Sequence, residues 1–151
     1  MFPPTATNVS VTFSPPMPIP FVIIIDDNPG DIALTQEAFA ENGMPADFTV
    51  AMSGDEALEL LAGVGEEPRL PDLILLDLNL PRINGLEILA FVRQHRRLTS
   101  VPTVILTTSN RAQDREQSRK LGVTDYLVKP AVFSEFLELV AGLRRFLAPA
   151  A

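Results

Sequence analysis

Pro71-Asp72-Leu73-Ile74-Leu75-Leu76-Asp77-Leu78-Asn79-Leu80-Pro81-Arg82-Ile83-Asn84-Gly85 decides how this 151-residue chain reads. The stretch begins as an apolar run, closed by Pro71 before it and by Pro81 and Gly85 after it. A short run of this kind is a strand buried on both faces of a parallel sheet. At its carboxyl end stands one charged residue, Asp77. In open α/β sheets that edge is where ligands bind. A carboxylate there is costly to desolvate unless something pairs with it.

Working outward, four more segments read as strands: Phe21 to Ile25, Phe48 to Ala51, Pro102 to Thr107, and Asp125 to Val128. Helices fill the intervals. The first is expected over 31–42, capped by Asp31, with Ile32, Thr35 and Phe39 on one face. Ser53 and Glu56 form a capping box for a second helix that buries Ala57, Leu58, Leu61 and Val64. Asn84-Gly85 with Glu87 opens a third, whose face is Ile88, Leu89 and Val92. The fourth, near 111–121, is polar apart from Ala112 and Leu121, which predicts the least firmly anchored element. The last, over 132–147, carries Val132, Phe136, Leu139, Val140, Leu143 and Phe146 on or near one face.

Five strand–helix alternations imply a parallel sheet with right-handed crossovers and helices on both faces. The expected fold is α/β: a flavodoxin-like (βα)5 three-layer sandwich with strand order 2-1-3-4-5. Residues 1–18, rich in Pro, Ser and Thr and without a charge, read as an N-terminal leader or arm. Residues 19–148 form the domain, and 149–151 a tail.

Composition narrows the function. There is no cysteine, which excludes disulfides and thiolate metal sites. The net charge of −7 argues against a general nucleic-acid binder. Residues 1–68 carry eleven acids and no base, whereas 69–151 carry eight acids and all twelve bases. No apolar run nears the ~20 residues of a membrane span, and the start lacks the pattern of a signal peptide. A cytoplasmic protein is expected.

The predicted switch point lies between strands one and three, whose ends carry Asp26-Asp27 and Asp77. Three converging carboxylates call for protonation or a cation. Oxygen ligands without His or Cys suit a hard ion, Mg²⁺ or Mn²⁺, held by Asp27, Asp77, a backbone carbonyl just past Asp77, and Asp26 through water. Lys129 ends the fifth strand and neutralises a carboxylate or holds a phosphoryl oxygen; a cis Lys129–Pro130 bond would aim it inward. Thr107 ends the fourth strand, its hydroxyl reaching the same oxygen. These groups fit phosphoryl transfer onto Asp77 as nucleophile. The product would pull Thr107 inward and make room for Tyr126 to turn in, repacking the fourth helix. His95 is expected in a structural or exposed role rather than as a phosphodonor, and Asn84-Gly85 only to start a helix.

Residues from about 20 to 147 resemble a bacterial two-component response-regulator receiver domain. The matching pieces are Ile25-Asp26-Asp27-Asn28, Leu76-Asp77-Leu78-Asn79-Leu80-Pro81 with Gly85, Leu106-Thr107, and Asp125-Tyr126-Leu127-Val128-Lys129-Pro130. The resemblance implies that Asp77 takes the phosphoryl group of a sensor histidine kinase and that Asp26 and Asp27 form the metal pocket. It further implies that Asn79 gives its backbone carbonyl to the metal, and that Thr107 and Tyr126 form the switch. Asp27-Asn28-Pro29-Gly30-Asp31 and Leu106-Thr107-Thr108-Ser109 are similar to the single-domain regulators paired with bacterial phytochromes. That likeness implies a phytochrome-type kinase as donor and a homodimer through the fourth and last helices. Thr108 stands where receivers commonly have Ala, and Ala131 where many have Phe.

The expected protein is a phosphoacceptor rather than an enzyme. It would switch the surface of the fourth helix, fifth strand and last helix for partner binding, dimerisation or phosphorelay. The alternative is a receiver-like binding module independent of phosphorylation. A haloacid-dehalogenase-type hydrolase wants a second acid where Asn79 stands, and a nucleotide or flavin site wants a phosphate loop where Asp26-Asp27 stand.

Overall fold

Val22, Ile23, Ile24 and Ile25 alternate between the two sides of one strand and are all buried, so both faces of the sheet must be covered. In the computed structural model, which describes residues 19–147, that is the arrangement found. Five parallel strands lie in the order β2-β1-β3-β4-β5. They are β1 Phe21–Ile25, β2 Asp47–Ala51, β3 Leu73–Leu76, β4 Thr103–Thr107 and β5 Asp125–Val128. Between them run α1 Pro29–Glu41, α2 Gly54–Val64, α3 Gly85–Gln94 and α4 Ala112–Lys120, with α5 Phe133–Ala141 and α6 Arg144–Leu147 after β5. The flavodoxin-like order expected from the sequence is therefore the observed one. The leader or arm and the tail lie outside the described residues.

The sheet divides the core in two. One cluster gathers Ile23, Ile25, Ile74, Leu76 and Ile105 against Ala57 and Leu61 of α2 and Ile88, Leu89 and Val92 of α3. The other gathers Val22, Ile24, Leu73, Leu75, Val104 and Leu106 against Ile32 and Phe39 of α1 and Phe136 and Val140 of α5. Successive residues of each strand feed opposite clusters, the period-2 geometry of an extended chain.

Several local expectations need correction. The α1 cap is Asn28, whose side chain accepts the Asp31 N–H; Asp31 lies inside the first turn because Pro29 already starts the helix. Ser53 caps α2 as expected, but the Glu56 carboxylate returns to the Met52 N–H, one residue earlier than in a capping box. Leu58 and Val64 are only partly buried. The last helix is two: α5 stops at Gly142 and α6 resumes at Arg144. Val132, expected on the apolar face, is the N-cap of α5 and 52% exposed. In α4, Ala112 is exposed and Leu121 half-buried; what the helix buries is polar, Asp114 and Ser118.

Candidate functional site

The site lies where the parallel ladder runs out. Ile25 pairs with Leu76 and Thr107 with Val128, so the strand ends lie side by side. The ladder then continues by single bonds into the polar residues. The Asp26 N–H donates to the Ala51 carbonyl at 3.1 Å, the Asp77 N–H to Ile25 at 2.9 Å, and the Lys129 N–H to Thr107 at 2.7 Å. Sheet hydrogen bonds thus fix the backbone of three site residues before any side chain makes a contact.

Asp26 and Asp77 are 4% and 6% exposed, and Asp27 faces solvent. Each of the three carboxylates offers an oxygen, and these oxygens lie within 4.8 Å of one another. The Lys129 ammonium sits among the buried ones, 2.7 Å from Asp26 Oδ2 and 3.0 Å from Asp77 Oδ2. It reaches them through a trans Lys129–Pro130 bond. The cis bond considered from the sequence is not needed, because the bond to Thr107 already holds Lys129 in strand register.

The remaining carboxylate oxygens are tied to loop backbone. Asp26 Oδ1 accepts the Asn28 N–H, and Asp77 Oδ1 accepts the Asn79 N–H, both at 2.9 Å. Burial raises the pKa of Asp26, opposed by Lys129 and the Asn28 N–H and reinforced by the Asp77 charge. For Lys129, burial favours the neutral amine, but the bonds and charges of Asp26, Asp77 and Asp31 outweigh it, and its pKa rises above the usual lysine value. The ammonium stays charged, a fixed cation facing Asp77.

Two participants escaped sequence reasoning. Asp31 Oδ2 is the third acceptor of Lys129, at 3.0 Å. Its signal was present: Asn28 three residues before it is a natural cap, which turns Asp31 into the first helical turn beside the edge. Gly85 is more than a helix start. A Cβ there would stand 2.4 Å from the Asp77 carbonyl oxygen and 2.8 Å from Leu78 Cα. Its N–H bonds the Leu78 carbonyl, so α3 begins pressed against the phosphoacceptor candidate's own backbone.

Thr107 is fully buried at the end of β4. Its hydroxyl oxygen lies 3.4 Å from Asn79 Nδ2 and accepts the Ser109 N–H at 3.3 Å. The sequence reading has Tyr126 turn in after phosphoryl transfer. Here its hydroxyl already donates to the Ser109 carbonyl at 2.9 Å, because the β4–α4 loop brings that carbonyl within reach. Arg115 lies over the ring, 4.7 Å from its centre. His95 is structural as expected, its Nδ1 accepting the Arg97 and Leu98 N–H groups.

A buried lysine facing clustered carboxylates at the edge of a 2-1-3-4-5 sheet defines a class of protein. Residues 22–141 match the response regulator receiver domain, and the chain belongs to that family. It is 34% identical over 128 residues to the response regulator Rcp1 of a Synechocystis strain, covering 83% of this chain and 86% of that relative. Among solved structures it resembles the phosphorylated cyanobacterial phytochrome response regulator RcpA at 36% identity and TM-score 0.78, over 86% of this chain and 94% of that one. The Mn²⁺-bound form of Rcp1 is similar at 32% identity and TM-score 0.76, over 87% and 97%. The oxygen-only cluster of Asp26, Asp27 and Asp77 fits a divalent metal site of this family. Among the described residues, no helix is long and apolar enough to cross a membrane.

Proposed function

We propose that this receiver accepts a phosphoryl group on Asp77 from the phosphohistidine of a sensor kinase. The observation that carries the reading is Lys129, buried and 3.0 Å from the Asp77 carboxylate, with Asp26 and Asp27 beside it. An Asp77 oxygen forms a bond to phosphorus as the phosphorus–nitrogen bond of the donor breaks. The electron pair of that bond stays on the imidazole, which takes up a proton. Asp77 needs no general base, since its ionised form has no proton to lose. Lys129 balances charge on the transferring group, and the Thr107 hydroxyl, at the same edge, donates to one of its oxygens. Asp26, Asp27, Asp77 and the Asn79 backbone carbonyl would hold Mg²⁺, or Mn²⁺, which supplies further neutralisation of phosphoryl charge when bound.

The acyl phosphate then alters the pull on Thr107 and, through the β4–α4 loop, on Tyr126 and α4. The output is a changed α4–β5–α5 surface for a protein partner, a second copy or a further phosphocarrier. The likeness to RcpA, a phytochrome response regulator, supports a phytochrome-type kinase as donor. The motif likeness of Asp27 to Asp31 and Leu106 to Ser109 supports a homodimer through α4 and α5, in a cytoplasmic setting. The net charge of −7 supports a protein partner over nucleic acid. The protein acts as phosphoacceptor rather than as an enzyme on a separate substrate. We divide the chain into an N-terminal leader or arm over 1–18, the receiver domain over 19–148 and a tail over 149–151.

Intact mass spectrometry after incubation with acetyl phosphate and Mg²⁺ tests this reading. One added phosphoryl group is expected in the parent and in Asp26→Asn, and none in Asp77→Asn. Equal uptake by Asp77→Asn would sink the assignment. Phosphotransfer from a purified phytochrome-type kinase tests the donor, and size-exclusion with and without phosphodonor tests the dimer.

A further inference from the structure

Asp114 is a buried carboxylate outside the acidic cluster, and the chemistry above does not use it. It sits in the first turn of α4 and points back at the loop leaving β4. The Ser109 hydroxyl donates to its Oδ2, and Arg111 grips both oxygens, through Nε at 3.1 Å and Nη2 at 3.3 Å. Asp114 is held below the usual carboxylate range, chiefly by the Ser109 hydroxyl, with burial opposing and Arg111 adding. It therefore grips as an anion.

Ser109 is the crossing point of this region. Its hydroxyl is on Asp114, its N–H on the Thr107 hydroxyl oxygen and its carbonyl on the Tyr126 hydroxyl. Thr107 in turn faces Asn79, whose N–H is on Asp77. A continuous set of hydrogen bonds thus joins α4 to the phosphoacceptor carboxylate. Beside it is a cavity of ≈ 200 Å³, bounded by Asn79, Asn84 and Leu86 on one side and by Arg111 and Asp114 on the other. The start of α4 therefore has room to move if its grip on the loop is released. Arg111, the N-cap residue, makes no side-chain capping bond; the buried Asp114 and the exposed Arg115, which donates to the Asn110 side chain, tie this end to the loop.

We propose that Asp114 is a positioning residue: by holding Ser109 it keeps the β4–α4 loop in the form that engages Tyr126 and presents Thr107, and thereby sets how readily Asp77 is phosphorylated. This rests on the phosphoacceptor reading. Losing one such bond lowers the population of the engaged loop, and the rate of phosphoryl uptake falls with that population by about 2- to 10-fold.

The chain carries its own reporter, since Tyr126 is the single tyrosine and there is no tryptophan. Acrylamide quenching of its fluorescence, without phosphodonor, reads the loop; mass-spectrometric uptake from acetyl phosphate with Mg²⁺ reads the consequence. Asp114→Asn and Ser109→Ala should both make Tyr126 more quenchable and slow uptake, while Ser109→Thr, which keeps the hydroxyl, should behave as the parent. Should Asp114→Asn fail to fold by far-UV circular dichroism, Ser109→Ala decides the question. Parental quenching in folded Ser109→Ala, altered quenching with parental uptake, or no rescue by Thr would each overturn the proposal. A parent that takes up no phosphoryl group sinks the phosphoacceptor reading instead, and the quenching comparison still reads the loop.

Discussion

Helices α3 and α4 flank the same edge of the sheet and are built by opposite means. Asn84 caps α3 in a reciprocal capping box with Glu87, and the helix buries Ile88, Leu89 and Val92. α4 has no capping hydrogen bond from its N-cap side chain to the helix backbone and buries only Asp114 and Ser118, the latter donating to the Asp114 carbonyl. α3 is held by apolar area, which is non-directional and is lost only when the helix leaves the sheet. α4 is held by directional polar contacts, which a small shift can break one at a time. Its far end is tied from α3: Arg93 donates to the Gly122 carbonyl at 2.7 Å and to the Thr124 hydroxyl at 3.0 Å. The fixed helix thus carries the backbone of the phosphoacceptor candidate, and the adjustable one carries the surface next to Tyr126.

The comparison breaks most severely at Gly85. A side chain there collides with Asp77 and Leu78 backbone, so Gly85→Val should lose about 3 kcal/mol or more of stability in urea melts. A parental midpoint would mean α3 is not pressed against the edge. Next comes the core of each helix. Leu89→Ala, at a fully buried site, should cost about 2 to 5 kcal/mol. Ser118→Ala, equally buried, should cost about 1 kcal/mol or less, because a small hydroxyl and its one bond are all it removes. Equal losses would contradict the contrast between apolar and polar anchoring.

The smallest effect sharpens the comparison through pH. Asp114 is depressed in the folded state, so its contribution is present above the ordinary carboxylate range, about pH 4, and is lost as pH falls through its lower folded value. The stability gap between the parent and Asp114→Asn should therefore be widest near neutrality and close in acid. Thermal melts at stepped pH check this. A gap that widens in acid would reverse the assigned sign.

Much of the site was legible because it follows the fold. Once Phe21 to Ile25 and the run before Asp77 read as parallel strands, strand order placed Asp26, Asp27, Asp77, Thr107 and Lys129 on one edge. Asp31 and Gly85 were not legible in those roles. Both were assigned the local job their residue types do at helix starts, and their second job depends on what stands across from them in space. The polar face of α4 was missed for a related reason. Periodicity counts apolar residues, and Asp114 and Ser118 are buried by hydrogen bonding.

Sequence by itself therefore determined the alternation of strands and helices, the 2-1-3-4-5 sheet and the residues at its carboxyl edge, because burial pattern and strand-end position are written along the chain. Only the tertiary structure decided which carboxylates share Lys129, why position 85 must be glycine, and how Ser109 links Thr107, Tyr126 and Asp114. Those are contacts between distant segments, set by packing distance and hydrogen-bond direction, and no local pattern encodes them.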